Sequence, residues 1–408
     1  MSEPIAPSFD VVIVGARCAG ASLAMLLARA GISVLAVDRA AFGSDTLSTH
    51  FLWPRTTGLL AKWGLLEAVA ASGCPPIEQV TADYGPVALK GRPSAVDGTA
   101  AMYCPRRTVL DRLLVEAARG AGAEMRDETT FRELLREGSR ARGVRLQDKD
   151  GNVREVCSRL VVGADGLWSP VARAVGAATD VEHETLTCGY YAYWSGVPTS
   201  GVEFYVRQGS DILVFPTHAG LTCIWAGRAR GAWEAYRGDV EGTYHGILAL
   251  APGLAQRVVK GARATPFRGT SKLPNFYRRS AGAGWALVGD AAYHRDPLTG
   301  MGIGDAFLGA DLLATAVLGG LGDGDARLDD LLDGRLADYQ TEFRRRTQPV
   351  FDYTVRAAGL ADPSSALPLY ARIAESAEDT TRFMDVLAGA LPFKDFFNPV
   401  NLSHLMRR

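Results

Sequence analysis

The chain has 408 residues, 47% hydrophobic and 22% charged, an ordinary globular composition long enough for a sizeable core. Its 44 basic and 45 acidic residues leave a formal net charge of −1 with no long basic run, which argues against nucleic acid as a partner. Val11–Val14 is too short for a signal peptide, no run is read as reaching the roughly 18 apolar residues of a membrane span, and six scattered cysteines lack any Cys-x-x-Cys pair. These features predict a cytoplasmic chain with buried reduced thiols, no stable membrane insertion and no metal site.

Residues 10–40 read as a buried strand, a tight glycine turn, a helix and a second buried strand ending in Asp38. This is the layout of a dinucleotide-binding βαβ unit, and it predicts a bound adenine dinucleotide. Leu59–Ala71 has helical spacing, stopped by Gly73-Cys74-Pro75-Pro76. Short alternating stretches from Val80 to Val96 suggest strands, and Arg106-Arg107-Thr108 opens a strong amphipathic helix. Ala123–Arg126 reads as a strand, Gly143–Gln147 and Val153–Ser158 as a hairpin, and Leu160–Gly163 as a separate short strand. Residues 186–230, rich in Tyr, Trp, Thr and Val, read as an antiparallel sheet, and 233–260 as helical. Trp285–Val288 returns to a buried strand, a long helix pattern runs from Gly304 to Leu318, and the last seventy residues are mostly helical, with breaks at Pro349, Pro363 and Pro368.

Three segments carry candidate chemistry. In the first, Gly15 ends a strand where the chain turns sharply, and Gly20 sits where a side chain would push helix and strand apart. The helix N-terminus offers amides to a pyrophosphate, and Asp38 can accept both ribose hydroxyls. Arg17 stands where the pattern expects a middle glycine, so its side chain must turn aside, within reach of a phosphate oxygen. In the second, Gly163-Ala164-Asp165-Gly166 places a carboxylate in a strand-to-helix turn, a feature that alone also suits a plain turn. In the third, Asp290 ends a buried strand, and Gly300, Gly302 and Gly304 expose backbone amides, with that of Ile303, as a helix begins.

In order and type, these segments resemble the flavoprotein aromatic hydroxylases of the p-hydroxybenzoate hydroxylase type and the wider group that includes geranylgeranyl reductases. The resemblance runs from residue 10 to about 315 and includes Arg107, just before a helix. It implies an α/β fold: a Rossmann-like FAD-binding domain with an inserted antiparallel β-sheet substrate domain and a helical C-terminus. The corresponding divisions are 8–75, 105–180 and 280–345 for the FAD-binding domain, 76–104 and 181–279 for the substrate domain, and 346–408 for the C-terminal region.

The resemblance also implies roles. Gly15, Arg17 and Gly20 would lie at the pyrophosphate, Asp38 at the adenosine ribose, and Arg107 at the phosphate or ribityl region, with Arg39 a further cofactor-binding residue. Asp165 and Gly166 would touch FAD, and Asp290 would bind the ribityl chain or pyrophosphate. Pro297 would sit near the reactive edge of the flavin, with Gly300, Gly302, Ile303 and Gly304 around negative charge on the reduced ring. Gly304 departs from the family's frequent asparagine. The implied activity is that of a monooxygenase using FAD, NADPH or NADH and O₂, which oxygenates an aromatic or polyketide-like small molecule through a flavin hydroperoxide. The monomer and the homodimer both remain open.

The catalytic residues are less defined. His50, in the loop after the second strand, suits either a base that deprotonates a phenol or a structural histidine bonding a backbone carbonyl. Tyr293 and His294 lie beside the Gly289-Asp290 turn and so near the flavin. Tyr190, Tyr191, Tyr193 and Trp194 suit a pocket wall, or a strand whose alternate members face the core. The rival activity is a geranylgeranyl reductase-type reduction without oxygen insertion. A flavin-dependent halogenase is less favoured because no Trp-x-Trp-x-Ile-Pro stretch exists, and a non-catalytic flavin-binding protein is the remaining alternative.

Overall fold

The computed structural model describes residues 8–321 and 328–407. Strand β1 (Ser8–Val14), helix α1 (Cys18–Arg29) and strand β2 (Val34–Val37) form the opening unit. β1 and β2 are parallel, and Val11–Val14 and all of β2 are buried, as expected for strands covered on both faces. Helices α2 (Pro54–Lys62) and α3 (Leu66–Ala71) replace the single helix expected over Leu59–Ala71, because Gly64, at φ 71°, turns the chain between them. Strands β3 (Val80–Asp83) and β4 (Ala88–Gly91) follow, then helix α4 (Arg107–Gly120) and strand β5 (Glu124–Arg126).

Strands β6 (Thr130–Glu137), β7 (Arg140–Gln147) and β8 (Val153–Gly163) form an antiparallel meander. The two short strands expected over 153–163 are one, since β8 pairs with β7 at its start and with β1 throughout its second half. After helix α5 (Pro170–Val175) and strand β9 (Thr179–His183) come the central strands β10 (Thr187–Ser195), β11 (Val202–Arg207), β12 (Ser210–Pro216) and β13 (Thr222–Ala229). Helices α6 (Trp233–Gly238), α7 (Val240–Leu248) and α8 (Pro252–Lys260) cover one face of these strands. Short strands β14 (Ala262–Arg263), β15 (Arg268–Thr270), β16 (Asn275–Arg278), β17 (Ala281–Gly282), β18 (Trp285–Leu287) and β19 (Tyr293–His294) lead into helix α9 (Gly302–Gly320). Helices α10 (Leu328–Ala357), α11 (Leu367–Ala374), α12 (Ala377–Leu387), α13 (Phe393–Phe396) and α14 (Pro399–Arg407) complete the chain.

The nucleotide-type sheet has the order β17-β18-β8-β1-β2-β5, parallel from β18 to β5, so the C-terminal ends of β1, β2, β8 and β18 open on one side. The second sheet runs β14-β10-β13-β12-β11-β3-β4, and β9, β16 and β19 form a small third sheet. The second sheet is covered on both faces by alternation along its strands. Tyr191, Tyr193, Leu213, Phe215, Cys223 and Trp225 join a core with Phe51, Trp53 and the C-terminal helices, while Trp194, Ile212, Val214 and Ile224 pack under α6–α8.

Three expectations are corrected. Helix α9 is long and apolar enough to cross a membrane, but α1 and α10 pack against it, so its apolar surface serves the core. Helix α10 runs through Pro349 without ending, because Phe343, Thr347, Phe351 and Thr354 on either side are buried and hold it in place. Cys157 is exposed on β8, whereas the other five cysteines are buried.

Candidate flavin-binding and active site

A cavity of about 670 Å³ opens at the C-terminal edge of the parallel sheet and extends to the inner face of the second sheet. All the candidate cofactor and catalytic residues except Gly20 and Gly304 line it, and of the aromatic run only Tyr191 does, Tyr190, Tyr193 and Trp194 lying outside it. Gly20 and Gly304 stand behind the wall. A Cβ on Gly20 would overlap the Gly15 carbonyl oxygen, so Gly20 sets how closely α1 approaches β1. A Cβ on Gly304 would overlap Thr56 Oγ1, on the side of α9 turned to α2.

The β1–α1 turn is fitted to a polyanion. Gly15 adopts φ 99°, and a Cβ there would overlap the Ala164 carbonyl, so only glycine brings this turn against the Asp165 segment. No side chain caps the N-terminus of α1, which leaves its first amides free for a phosphate. Arg17 turns aside: its Nη1 lies 3.0 Å from Asp111 Oδ2 and 3.1 Å from the Ser44 carbonyl. Arg107 grips the same carboxylate, with Nε 2.8 Å from Oδ1 and Nη2 3.0 Å from Oδ2. Two guanidiniums on one buried carboxylate leave one excess positive charge at the cavity wall, which suits a pyrophosphate. Asp38 is fixed by the amides of Ala16 (3.0 Å) and Ala40 (2.9 Å), with further acceptor capacity for ribose hydroxyls; Arg39 is exposed beside it.

Asp165 caps α5, accepting from the Ser169 hydroxyl and from the Val171 amide at 3.0 Å. Burial raises its pKa, against the opposing effect of those hydrogen bonds. Asp290 is exposed to the cavity and makes no side-chain hydrogen bond among the described residues. Beyond it, Pro297 and Gly300 lead to the N-terminus of α9, which again has no side-chain cap; Gly302 has open space where a Cβ would project. FAD fits this donor set: free amides and arginines for its phosphates, carboxylates for its hydroxyls and a second amide nest for its ring edge.

His50 lies on the cavity wall but is 2% exposed, with backbone φ 47°. Its Nε2 is 2.6 Å from the Tyr193 hydroxyl and its Nδ1 3.1 Å from Cys104 Sγ. Burial and then Arg107 and Arg106 push its pKa down to about 3, so the ring is neutral at ordinary pH. A base at this position would first have to leave Tyr193. The Tyr293 hydroxyl is buried beside that of Tyr277, its ring packed among Tyr277, Phe343 and Phe351. His294 Nδ1 lies 2.5 Å from the Pro274 carbonyl.

Of the far wall of the cavity, sequence reasoning named Tyr191 as a candidate and missed Phe51, Trp225 and Leu273. Phe51, Tyr191, Trp225 and Leu273 form it, with Thr270 and Lys272 nearby. The register Tyr191↔Trp225 across β10 and β13 explains the pair, and alternation from Tyr191 selects Tyr193 for the same face. It also missed the buried network behind this wall. Trp225 Nε1 donates to Asp211 Oδ2 at 2.9 Å, and Asp296 accepts from the Thr187 hydroxyl at 2.5 Å while capping the turn before α9. Burial, and Asp296 as the next cause, push Asp211 up to about 7; burial pushes Asp296 up to about 6. No single motif marks these positions, because the partners lie 14 and 109 residues apart.

The FAD binding domain family pattern matches residues 8–354. Among curated proteins, the chain is 28% identical over 362 residues to digeranylgeranylglycerophospholipid reductase 2 of Methanopyrus kandleri, covering 86% of each chain. It is 30% identical over 354 residues to digeranylgeranylglycerophospholipid reductase 2 of Methanothermobacter thermautotrophicus, covering 83% of this chain and 84% of the relative. Among solved structures it resembles PqsL of Pseudomonas aeruginosa in complex with 2-aminobenzoylacetate, at 25% identity and TM-score 0.73, over 93% of this chain and all of that one. With a cradle shaped for the cofactor and a family match over most of its length, the chain belongs to the FAD binding domain family and is an FAD-dependent oxidoreductase.

Proposed function

We propose that the protein is a reductase that saturates a carbon–carbon double bond in an apolar, prenyl-like chain, with FAD supplying the hydride and NADPH or NADH recharging it. The observation that carries this reading is the lining of the cavity: Phe51, which lies against Gly300, with Tyr191, Trp225 and Leu273 gives it an apolar surface alongside the Pro297–Gly302 segment. His50 is poorly suited to activate a phenol, since both its nitrogens are engaged and burial, with Arg107 and Arg106, lowers its basicity. The similarity to digeranylgeranylglycerophospholipid reductases supports the same reading.

The chain's own residues hold the alkene and exclude water. The aromatic wall buries the hydrocarbon, and each methylene it removes from water contributes about 0.8 kcal/mol. Tyr191 lines that wall; burial raises its pKa against a backbone hydrogen bond at Ser48, so its hydroxyl stays protonated, and in this reading it is the proton donor to the second alkene carbon.

A second reading, monooxygenation of an aromatic compound, draws on the likeness to PqsL, which is elsewhere described as a probable FAD-dependent monooxygenase. One experiment separates the two. The enzyme is incubated with NADPH or NADH and a panel of prenyl lipids and phenols, with and without O₂, and products are weighed by mass spectrometry. A product gaining two hydrogens without O₂ supports the reductase. A product gaining one oxygen only when O₂ is present, with stoichiometric O₂ consumption, overturns it in favour of the monooxygenase.

A further inference from the structure

Behind the N-terminus of α9, separated from the large cavity by two side chains, lies a second, small cavity of about 30 Å³. Arg295 and Asp305 line both cavities and form the partition between them. Arg55 from α2, Arg346 from α10, Gly304 and Gly389 also line the small one, together with apolar Trp53, Met301, Leu308 and Val350. Three arginines and one carboxylate, Asp305, therefore line it, with Glu342 on Arg346 and Asp97 near Arg55 as further negative groups.

The protein leaves this charge incompletely matched. Arg295 is 5% exposed; its Nη2 lies 2.7 Å from Asp305 Oδ2 and its Nη1 donates to Thr354 Oγ1 at 3.1 Å, but its Nε is buried with no hydrogen-bond partner among the described residues. Arg346 is held by Glu342 at 2.6 Å. Arg55 makes no hydrogen bond or ion pair among the described residues, although Asp305 and Asp97 act on it from a distance. Burial, and the neighbouring Arg346, lower its pKa against the pull of those carboxylates. An unpaired, half-buried guanidinium beside an unpartnered buried N–H is costly unless something negative joins them.

We propose that this cavity binds a small monovalent anion of chloride size, held between Arg55, Arg295 and Arg346. The volume admits a water molecule or a halide and excludes phosphate groups tethered to a larger molecule. The first turn of α9, a 19-residue helix whose N-terminus no side chain caps, adds favourable potential at the cavity edge. Since Arg295 and Asp305 also face the large cavity, an anion here competes with Asp305 for Arg295. That changes the charge beside the Gly302 and Ile303 amides, where the flavin ring is to lie. The inference concerns a site distinct from the substrate wall and stands whichever oxidoreductase reaction the enzyme performs.

The test uses the purified yellow holoprotein in sodium gluconate, titrated with sodium chloride at constant ionic strength. Thermal unfolding and the visible flavin absorption are followed together. The expected result is a saturable rise in Tm with a parallel change in the flavin band, and a response at least about tenfold weaker in Arg55→Met, which corresponds to about 1.4 kcal/mol of binding free energy. A linear response without saturation, or the same saturation in Arg55→Met, overturns the site. Anomalous diffraction from wild-type crystals grown with bromide decides the matter independently of how the variant folds: a peak among Arg55, Arg295 and Arg346 supports the site, and a cavity holding only water overturns it.

Discussion

The two ends of the large cavity are built from different materials. At the β1–α1 end the wall is backbone: Gly15 and Gly20 are pressed against carbonyls, and the free amides of α1 present the binding groups. At the β10–β13 end the wall is side chain: Tyr191 and Trp225 face each other across a regular ladder. A backbone site admits almost no substitution because the groups that clash cannot move. A side-chain wall on an intact ladder can be recut without disturbing the fold, so one end fits an invariant cofactor and the other a variable substrate.

The sharpest way to break this contrast is at Gly20. Gly20→Ala sets a Cβ against the Gly15 carbonyl, with no flexible group to yield, and is expected to cost about 3 kcal/mol or more. Urea unfolding and flavin content per chain measure it; a variant that keeps wild-type stability and full flavin refutes the close-approach argument. Next is Arg107→Gln, which leaves buried Asp111 with one guanidinium, Arg17, and the Cys18 thiol. Removing one partner of a buried ion pair costs about 3 kcal/mol, and FAD should dissociate at least tenfold more readily in equilibrium dialysis.

The third expectation concerns pH. Asp211 has a folded-state pKa of about 7, above its unfolded value, so the folded protein binds the extra proton. Its contribution to stability is fully present below the unfolded pKa and is lost as pH rises through about 7. At about 1.4 kcal/mol per unit, the loss between pH 4 and pH 8 is on the order of 3–4 kcal/mol. Asp211→Asn should therefore flatten the rise of instability over this range and be more stable than wild type at pH 8. Equal slopes in calorimetric Tm against pH would remove Asp211 as the cause.

The smallest expected stability effect is at Tyr191→Phe, about 1 kcal/mol, because the ring and its packing remain and only the hydroxyl with its backbone contact at Ser48 is lost. Flavin content should not change, while kcat for alkene reduction falls at least tenfold. An unchanged kcat would take the proton-donor role from Tyr191 and leave it a wall residue.

How much of this was legible in the sequence follows the same division. The βαβ unit, the Asp165 turn and the Asp290–Gly304 segment are local patterns, each set by residues a few positions apart, and they place most of the candidate cofactor residues on one cavity. Local patterns also misled where tertiary support outweighs propensity, as in α10 running through Pro349. The roles of His50 and the aromatic run stayed open because they depend on contacts far along the chain. Tyr193 reaches His50 from 143 residues away and Trp225 meets Tyr191 through strand register, so neither leaves a spacing to read.

By itself, then, the sequence determined a dinucleotide cradle of the flavoprotein kind and the strands and helices that carry it, because glycine turns, buried β runs and helix starts are governed by short-range sterics and burial. Only the tertiary structure decided that His50 is neutral and engaged, that Phe51, Tyr191, Trp225 and Leu273 share one wall, and that three arginines meet behind α9. Those outcomes depend on desolvation and on which distant elements come together, quantities that exist only once the chain has packed.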